Sequence, residues 1–259
     1  MRLVKEQLAS IAEDHPETIQ YLMRSEDPLV SFHAKDILDE LDQREGEEDF
    51  TLLCHFAGDV FDIEKAAWSL SAAIQPSACD VELEELVNEW GREFLSRSAC
   101  ATSPLERVQI LSQYLAQELH FRGNSEKYYC EENSLIPRVV ESRVGIPISL
   151  TLLYQMIGAR GGMKIEGINL PGHFIARHGE VYFDPFHEGR VLCQCDVKNI
   201  LDRQGITLRQ NHLQAANPRQ FLLRILANLL YVYDLDGKKN KRDRIKGWMT
   251  ALNGGILTP

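Results

Sequence analysis

One segment limits what this chain can fold into more than any other. Leu150 to Ile157 reads Leu-Thr-Leu-Leu-Tyr-Gln-Met-Ile, apolar on nearly every face of a helix. A helix of that kind has no side to offer to water, so the rest of the molecule must enclose it. It is too short for the roughly 20 residues that a bilayer span requires. Gly145-Ile146-Pro147-Ile148-Ser149 breaks the chain before it, and Gly161-Gly162 ends it. The period then changes. Ile165 to Leu170, Phe174 to Arg177 and Val181 to Phe186 are short β-branched and aromatic stretches separated by Pro171-Gly172 and His178-Gly179. They predict a small antiparallel sheet. A buried central helix packed on that sheet, with mainly helical additions at either end, is an α+β architecture.

The flanks read as helix. In residues 1–45, Leu3, Leu8 and Ile11, then Ile19, Leu22 and Met23, then Phe32, Ile37, Leu38 and Leu41 fall roughly at helical spacing. The last two of these three helices start at the Asp14-His15-Pro16 and Asp27-Pro28 signals. The acidic run Asp39 to Asp49 around Gly46 reads as a solvated linker or helix face. Leu83, Leu86, Val87, Trp90 and Phe94 mark another helix, and Ser103-Pro104-Leu105-Glu106 is a capping box for one running to about His120. Its stripe is Leu105, Val108, Leu111, Leu115 and Leu119. A helix near Ser134 to Ser142 accommodates Pro137 in its first turn, and Phe221 to Tyr233 is apolar enough to pack on the body. The basic stretch Lys238 to Lys246 reads as a solvated turn.

Composition narrows the function classes. The 259 residues are 44% hydrophobic and carry a net charge of −10, a globular chain whose surface repels a phosphate backbone. Nucleic acid is excluded as an expected partner, and so is a membrane. The start, Met1-Arg2-Leu3-Val4-Lys5, lacks the apolar run of a signal peptide. Six scattered cysteines fit reduced thiols in a cytoplasmic protein, with Cys193-Gln194-Cys195 the only close pair.

The sheet carries the chemistry. If His178-Gly179 is a two-residue hairpin loop, Arg177 faces Glu180 and His173 lies directly across from Asp184. A histidine oriented by a carboxylate suits general-base catalysis, because the acid fixes the tautomer and stabilises the imidazolium. The same pair also makes an ordinary satisfied polar contact in a half-buried sheet. Ser149, just ahead of the buried helix, stands where a helix dipole favours a developing anion. Serine is also a good helix cap.

Several motifs occur together in order: Tyr114 to Asn124, Tyr128-Tyr129, Glu132-Asn133-Ser134-Leu135, Gly145 to Leu150, Pro171-Gly172-His173-Phe174 and Asp184-Pro185-Phe186. In these the chain resembles the SirB-type transglutaminase-like family of bacteria over roughly residues 50–230. The resemblance implies a transglutaminase/papain-like core over 46–215, after an N-terminal helical segment 1–45 and before a C-terminal helical segment 216–259. In that last segment, at most one helix pair is available to represent the tetratricopeptide-like repeats with which family members continue. It implies Ser149 at the nucleophile position, His173 as base and Asp184 as its orienter. Asn124 and Asn133 are candidates for lining the same cleft, or else turn and cap residues.

Serine departs from the cysteine of the wider transglutaminase pattern. A thiolate forms near neutral pH beside an imidazolium, whereas a serine must lose its proton during attack. The expectation is a pseudoenzyme that has lost catalysis, or a weak Ser-His-Asp acyl transferase or hydrolase acting on peptide-like amides or esters. The alternative is a protein-interaction module that binds a protein or peptide. Neither calls for a metal or an organic cofactor, and the sequence leaves the oligomeric state open.

Overall fold

Short polar side chains start half of the helices among the described residues. Asp27 accepts from the Leu29 N–H (2.9 Å), Asp62 from Glu64 (3.0 Å) and Asp80 from Glu82 (3.0 Å), while Ser103 and Glu106 form the reciprocal box expected of them. The computed structural model describes residues 16–58 and 60–254. The helix expected around Leu3, Leu8 and Ile11 lies outside them.

The order is α1 (Pro16–Met23), α2 (Pro28–Phe56), α3 (Ile63–Ile74), α4 (Val81–Arg97), α5 (Pro104–Ser112), β1 (Arg122–Gly123), α6 (Ile136–Ser142), β2 (Val144–Gly145) and α7 (Pro147–Arg160). Then come β3 (Glu166–Leu170), β4 (His173–His178), β5 (Val181–Asp184), β6 (Arg190–Leu192), α8 (Gln194–Asp202), α9 (Pro218–Leu235) and α10 (Lys239–Leu252). The architecture is α+β. Strands β1 and β2 pair in parallel, and β3-β4-β5-β6 form an antiparallel meander.

Helix α7 is the expected buried centre: Leu150, Leu152, Leu153, Tyr154 and Ile157 are each 0% exposed. Phe174, Ala176 and Phe183 from one face of the sheet join it in the main core, together with Leu222, Ile225 and Leu229 of α9. The opposite face contributes Ile168, Ile175 and Leu192 to a second, smaller core, which Val197 and Leu201 of α8 close. A third cluster of Ile19, Ala34 and Ile37 joins α1 to the start of α2.

Several expectations are revised. The acidic run takes the helix-face alternative and not the linker: α2 continues through Gly46, and 45/46 falls inside it. The helix begun at Ser103 leaves α geometry after Ser112 for a π-helical turn, Gln113–Glu118. Leu105 is 42% exposed, and Tyr114 is buried beside Leu111 and Leu115. The basic stretch is the first half of α10. Several of its cations are paired with other elements, Lys241 with Glu131 (3.0 Å), Arg242 with Asp234 (3.2 Å) and Arg244 with Glu47. A fourth strand, β6, joins the three expected. Cys193 and Cys195, expected as thiols, form a disulfide at the start of α8.

Replacing Phe183, which is 0% exposed and sits 6.0 Å ring to ring from Tyr154, with Ala removes a central contact between sheet and helix. Phe183→Ala is expected to lower the unfolding free energy by about 3–5 kcal/mol in urea melts.

Candidate functional site

The hairpin that carries the site has Gly179-Glu180 as its loop, not His178-Gly179. His178 pairs with Val181, Arg177 with Tyr182 and Ala176 with Phe183. Gly179 takes φ +56°, the positive value a glycine at the first loop position supplies at no steric cost. The register therefore differs by two residues from the expected one. An even shift preserves the face of every side chain, so His173 and Asp184 become diagonal neighbours on one face, and they still meet. His173 Nε2 lies 2.7 Å from Asp184 Oδ2.

Asp184 is fixed from several sides. It is 3% exposed, at the end of β5. Its Oδ1 accepts from the Phe186 N–H (3.0 Å), which caps a short 3-10 turn, Pro185–His187. Its carbonyl accepts from Gly189 (2.8 Å), after Glu188 (φ 57°) and Gly189 (φ 71°) reverse the chain into β6. A Cβ on Gly189 would lie 2.1 Å from Ser112 Oγ, so glycine is required by space as well as by φ. His187 Nδ1 is also 2.7 Å from Asp184 Oδ2, giving one carboxylate oxygen shared by two imidazoles. His173 is largely buried, its ring edge-on to Phe186, whereas His187 is exposed. A cavity of about 310 Å³ opens between β6 and α8 and is lined by Asp184, His187, Arg190, Asn199 and neighbours; His173 is not among its lining residues.

Burial pushes the Asp184 carboxyl up, and the hydrogen bonds and charges of His173 and His187 outweigh it, leaving the group below its ordinary range.

Ser149 makes its hydrogen bonds to other groups. It is 0% exposed at the third position of α7. Its hydroxyl donates to the Asn133 carbonyl (2.6 Å) and accepts from the Ile146 N–H (3.1 Å). Ile146, the residue before the helix, has no side-chain acceptor, so Ser149 supplies the return half of a capping box alone. A Cβ on Gly145 would come within 2.8 Å of that hydroxyl. Pro147 and Ile148 are buried too. By strand alternation, His173 and Asp184 lie on the face shared with Ile175 and Tyr182, opposite the Phe174–Phe183 face that packs with α7 in the main core.

Asn124 and Asn133 come together and pin their own loop. Asn124 Nδ2 donates to Asn133 Oδ1 (3.0 Å), and Asn133 Nδ2 donates to the carbonyls of Lys127 (2.6 Å) and Tyr128 (3.0 Å). The candidate residues thus fall into two groups, Ser149 with the asparagines and His173 with Asp184. Among the described residues no hydrogen bond joins the groups. Phe186 stands at the border, its ring 6.2 Å from that of His173 and 6.0 Å from that of Tyr128.

The thiols offer no substitute nucleophile beside the helix start. Burial pushes Cys54 up to about 12 and Cys79 up to about 11. Burial and then the hydrogen bond to Glu132 raise Cys130 as well. His187, Arg190 and β6 escaped the sequence reading. The spacing of Asp184-Pro185-Phe186-His187, an acid and an imidazole three residues apart, was the available signal.

Residues 77–227, more than half of the chain, match the transglutaminase-like superfamily, and the chain belongs to it. Among curated relatives, a UPF0162 protein of Xylella fastidiosa (strain Temecula1) is 34% identical over 140 residues, 49% of each chain. A UPF0162 protein of Pseudomonas aeruginosa is 29% identical over 191 residues, 68% of this chain and 66% of the relative. F-box only protein 21 of the mouse is 28% identical over 147 residues, 50% of this chain and 22% of that protein. The chain spans about half the length of the first two curated relatives it matches. No solved structure matches it significantly.

Two predictions test the geometry. Ser149→Ala leaves a buried carbonyl and a buried N–H without their partner, and is expected to cost about 1–3 kcal/mol in denaturant melts. Asp184, held below its ordinary range, contributes stability that is complete above the unfolded value of about 3.9 and is lost as pH falls through the lower folded value. Urea melts between pH 5 and the acid limit are expected to show that loss in the native protein and a flatter profile in Asp184→Asn.

Proposed function

We propose that this chain is a catalytically degenerate transglutaminase-like domain of the SirB type, which keeps the His173–Asp184 half of an acyl-transfer site and uses it to bind a protein or peptide in the cytoplasm. One observation carries the reading. The hydroxyl of Ser149 is enclosed and committed to the backbone of the loop before α6 and of the α7 start. A serine nucleophile needs its proton within reach of the base, and the hydrogen bonds of Ser149 are spent elsewhere. Asn124 and Asn133 act on this reading as loop pins and take no part in gripping substrate.

The SirB-type assignment draws support from the motif order along the chain and from the bacterial UPF0162 relatives. Binding draws support from what remains open. The aromatic rings of Phe186, Tyr128, Tyr129 and Tyr231 follow one another from His173 outward, with centroid spacings of 6.0, 5.1 and 4.7 Å between successive rings. Tyr129 and Tyr231 are half exposed, and aromatic edges of this kind suit peptide contact. No helix among the described residues is long and apolar enough to cross a membrane.

Treatment of the folded protein with a fluorophosphonate probe is the test. The expected result is no labelling of Ser149. Labelling that disappears in both Ser149→Ala and His173→Ala would overturn the reading in favour of Ser-His-Asp catalysis.

A further inference from the structure

The three groups around Asp184 Oδ2 have a composition that general-base chemistry does not use in full. A base needs one imidazole and one acid, and here a second imidazole meets the same oxygen. His173 Nε2, Asp184 Oδ2 and His187 Nδ1 all lie within 4.8 Å of one another. Their backbones sit at three points of regular structure: the first residue of β4, the last residue of β5 and the end of the 3-10 turn. Pro185 and the left-handed pair Glu188-Gly189 fix the turn on both sides of His187.

We propose that His173, Asp184 and His187 form a binding site for a zinc-class divalent ion, with its remaining coordination position facing the cavity between β6 and α8. Two imidazoles and one carboxylate make a ligand set of the type that holds zinc while leaving one position for water or another ligand. Two nitrogen donors select a borderline transition ion over magnesium or calcium, which prefer all-oxygen shells. Zinc bonds of about 2.0–2.2 Å at tetrahedral angles separate ligand atoms by roughly 3.3 Å. Each 2.7 Å contact to Asp184 therefore opens by about half an ångström when the ion replaces the shared proton. His187, at the exposed end of the trio, has the room to move. Asp184 and His187 border the cavity, so the open position has space of about 310 Å³ in front of it. Cys193, Cys195 and Asp196 are a second group of ligand-type atoms among the described residues, but the two sulfurs are joined in a disulfide.

The inference goes beyond the binding function proposed above and does not depend on whether Ser149 reacts. Isothermal titration of the full chain with Zn²⁺, and with Mg²⁺ as the contrasting ion, tests it directly. One equivalent of Zn²⁺ is expected to bind, Mg²⁺ not to bind, and a Cys193→Ser/Cys195→Ser variant to behave as the native protein. Affinity for Zn²⁺ should fall at least tenfold in His187→Ala, whose exposed position leaves the fold and its thermal midpoint intact, and likewise in His173→Ala. Co²⁺ should give visible absorption bands of a tetrahedral site that His187→Ala abolishes. Absence of Zn²⁺ binding, equal affinity in a folded His187→Ala, or loss of binding only in the cysteine variant would each overturn the proposal.

Discussion

The enclosure of α7 on nearly every side is the constraint from which the rest of the molecule follows. A helix without a wet face cannot leave its first N–H groups to solvent, so each must find a partner inside the protein. The residue before α7 is Ile146, which has nothing to offer. Ser149 turns back to serve it and, with its own proton, ties the Asn133 carbonyl to the same point. Asn133 in turn holds the loop from Asn124 to Tyr128. A single hydroxyl thus links the central helix to the loop before α6.

The opposite side of the sheet obeys different rules. Asp184 is as buried as Ser149 in effect, but its partners are titratable and one of them is exposed. Burial of an acid is tolerated when hydrogen bonds to the charged form compensate the lost hydration. Two imidazoles and a backbone N–H perform that compensation here. The site is consequently built around a stabilised negative charge at the edge of a cavity.

How far the sequence revealed this depends on how local each signal is. The buried helix, the capping box at Ser103, the strand periods and the His173–Asp184 contact all follow from patterns within a few residues of one another, and they were legible. The hairpin loop was displaced by one residue because either of two neighbouring dipeptides, His178-Gly179 or Gly179-Glu180, can supply a glycine at positive φ. The contact survived the resulting shift because face parity is insensitive to an even offset. The bond from Ser149 to the carbonyl of Asn133 could not be read in advance, since the two residues are sixteen apart in the chain. The π-helical turn after Ser112 and the continuation of α2 through Gly46 likewise depend on tertiary contacts: a Cβ at Gly46 would meet the α3 backbone at Ala72 at 3.0 Å. His187 was missed because its partner is a side chain whose other bond had already been assigned.

Helix α2 has two very different ends. Near Phe50 it is anchored in the main core, with the Phe50 ring 4.8 Å from Trp248 and the Trp248 indole donating to Thr51 (2.9 Å). Near Ala34 and Ile37 it rests on a cluster to which α1 adds Ile19. One continuous rod therefore spans a steep gradient of local stability, its leading turns opening at far less cost than its trailing ones. The turns around Ala34 and Ile37 can therefore open, be cut or be captured ahead of the acidic run and Phe50, while the sheet and its buried carboxylate remain undisturbed.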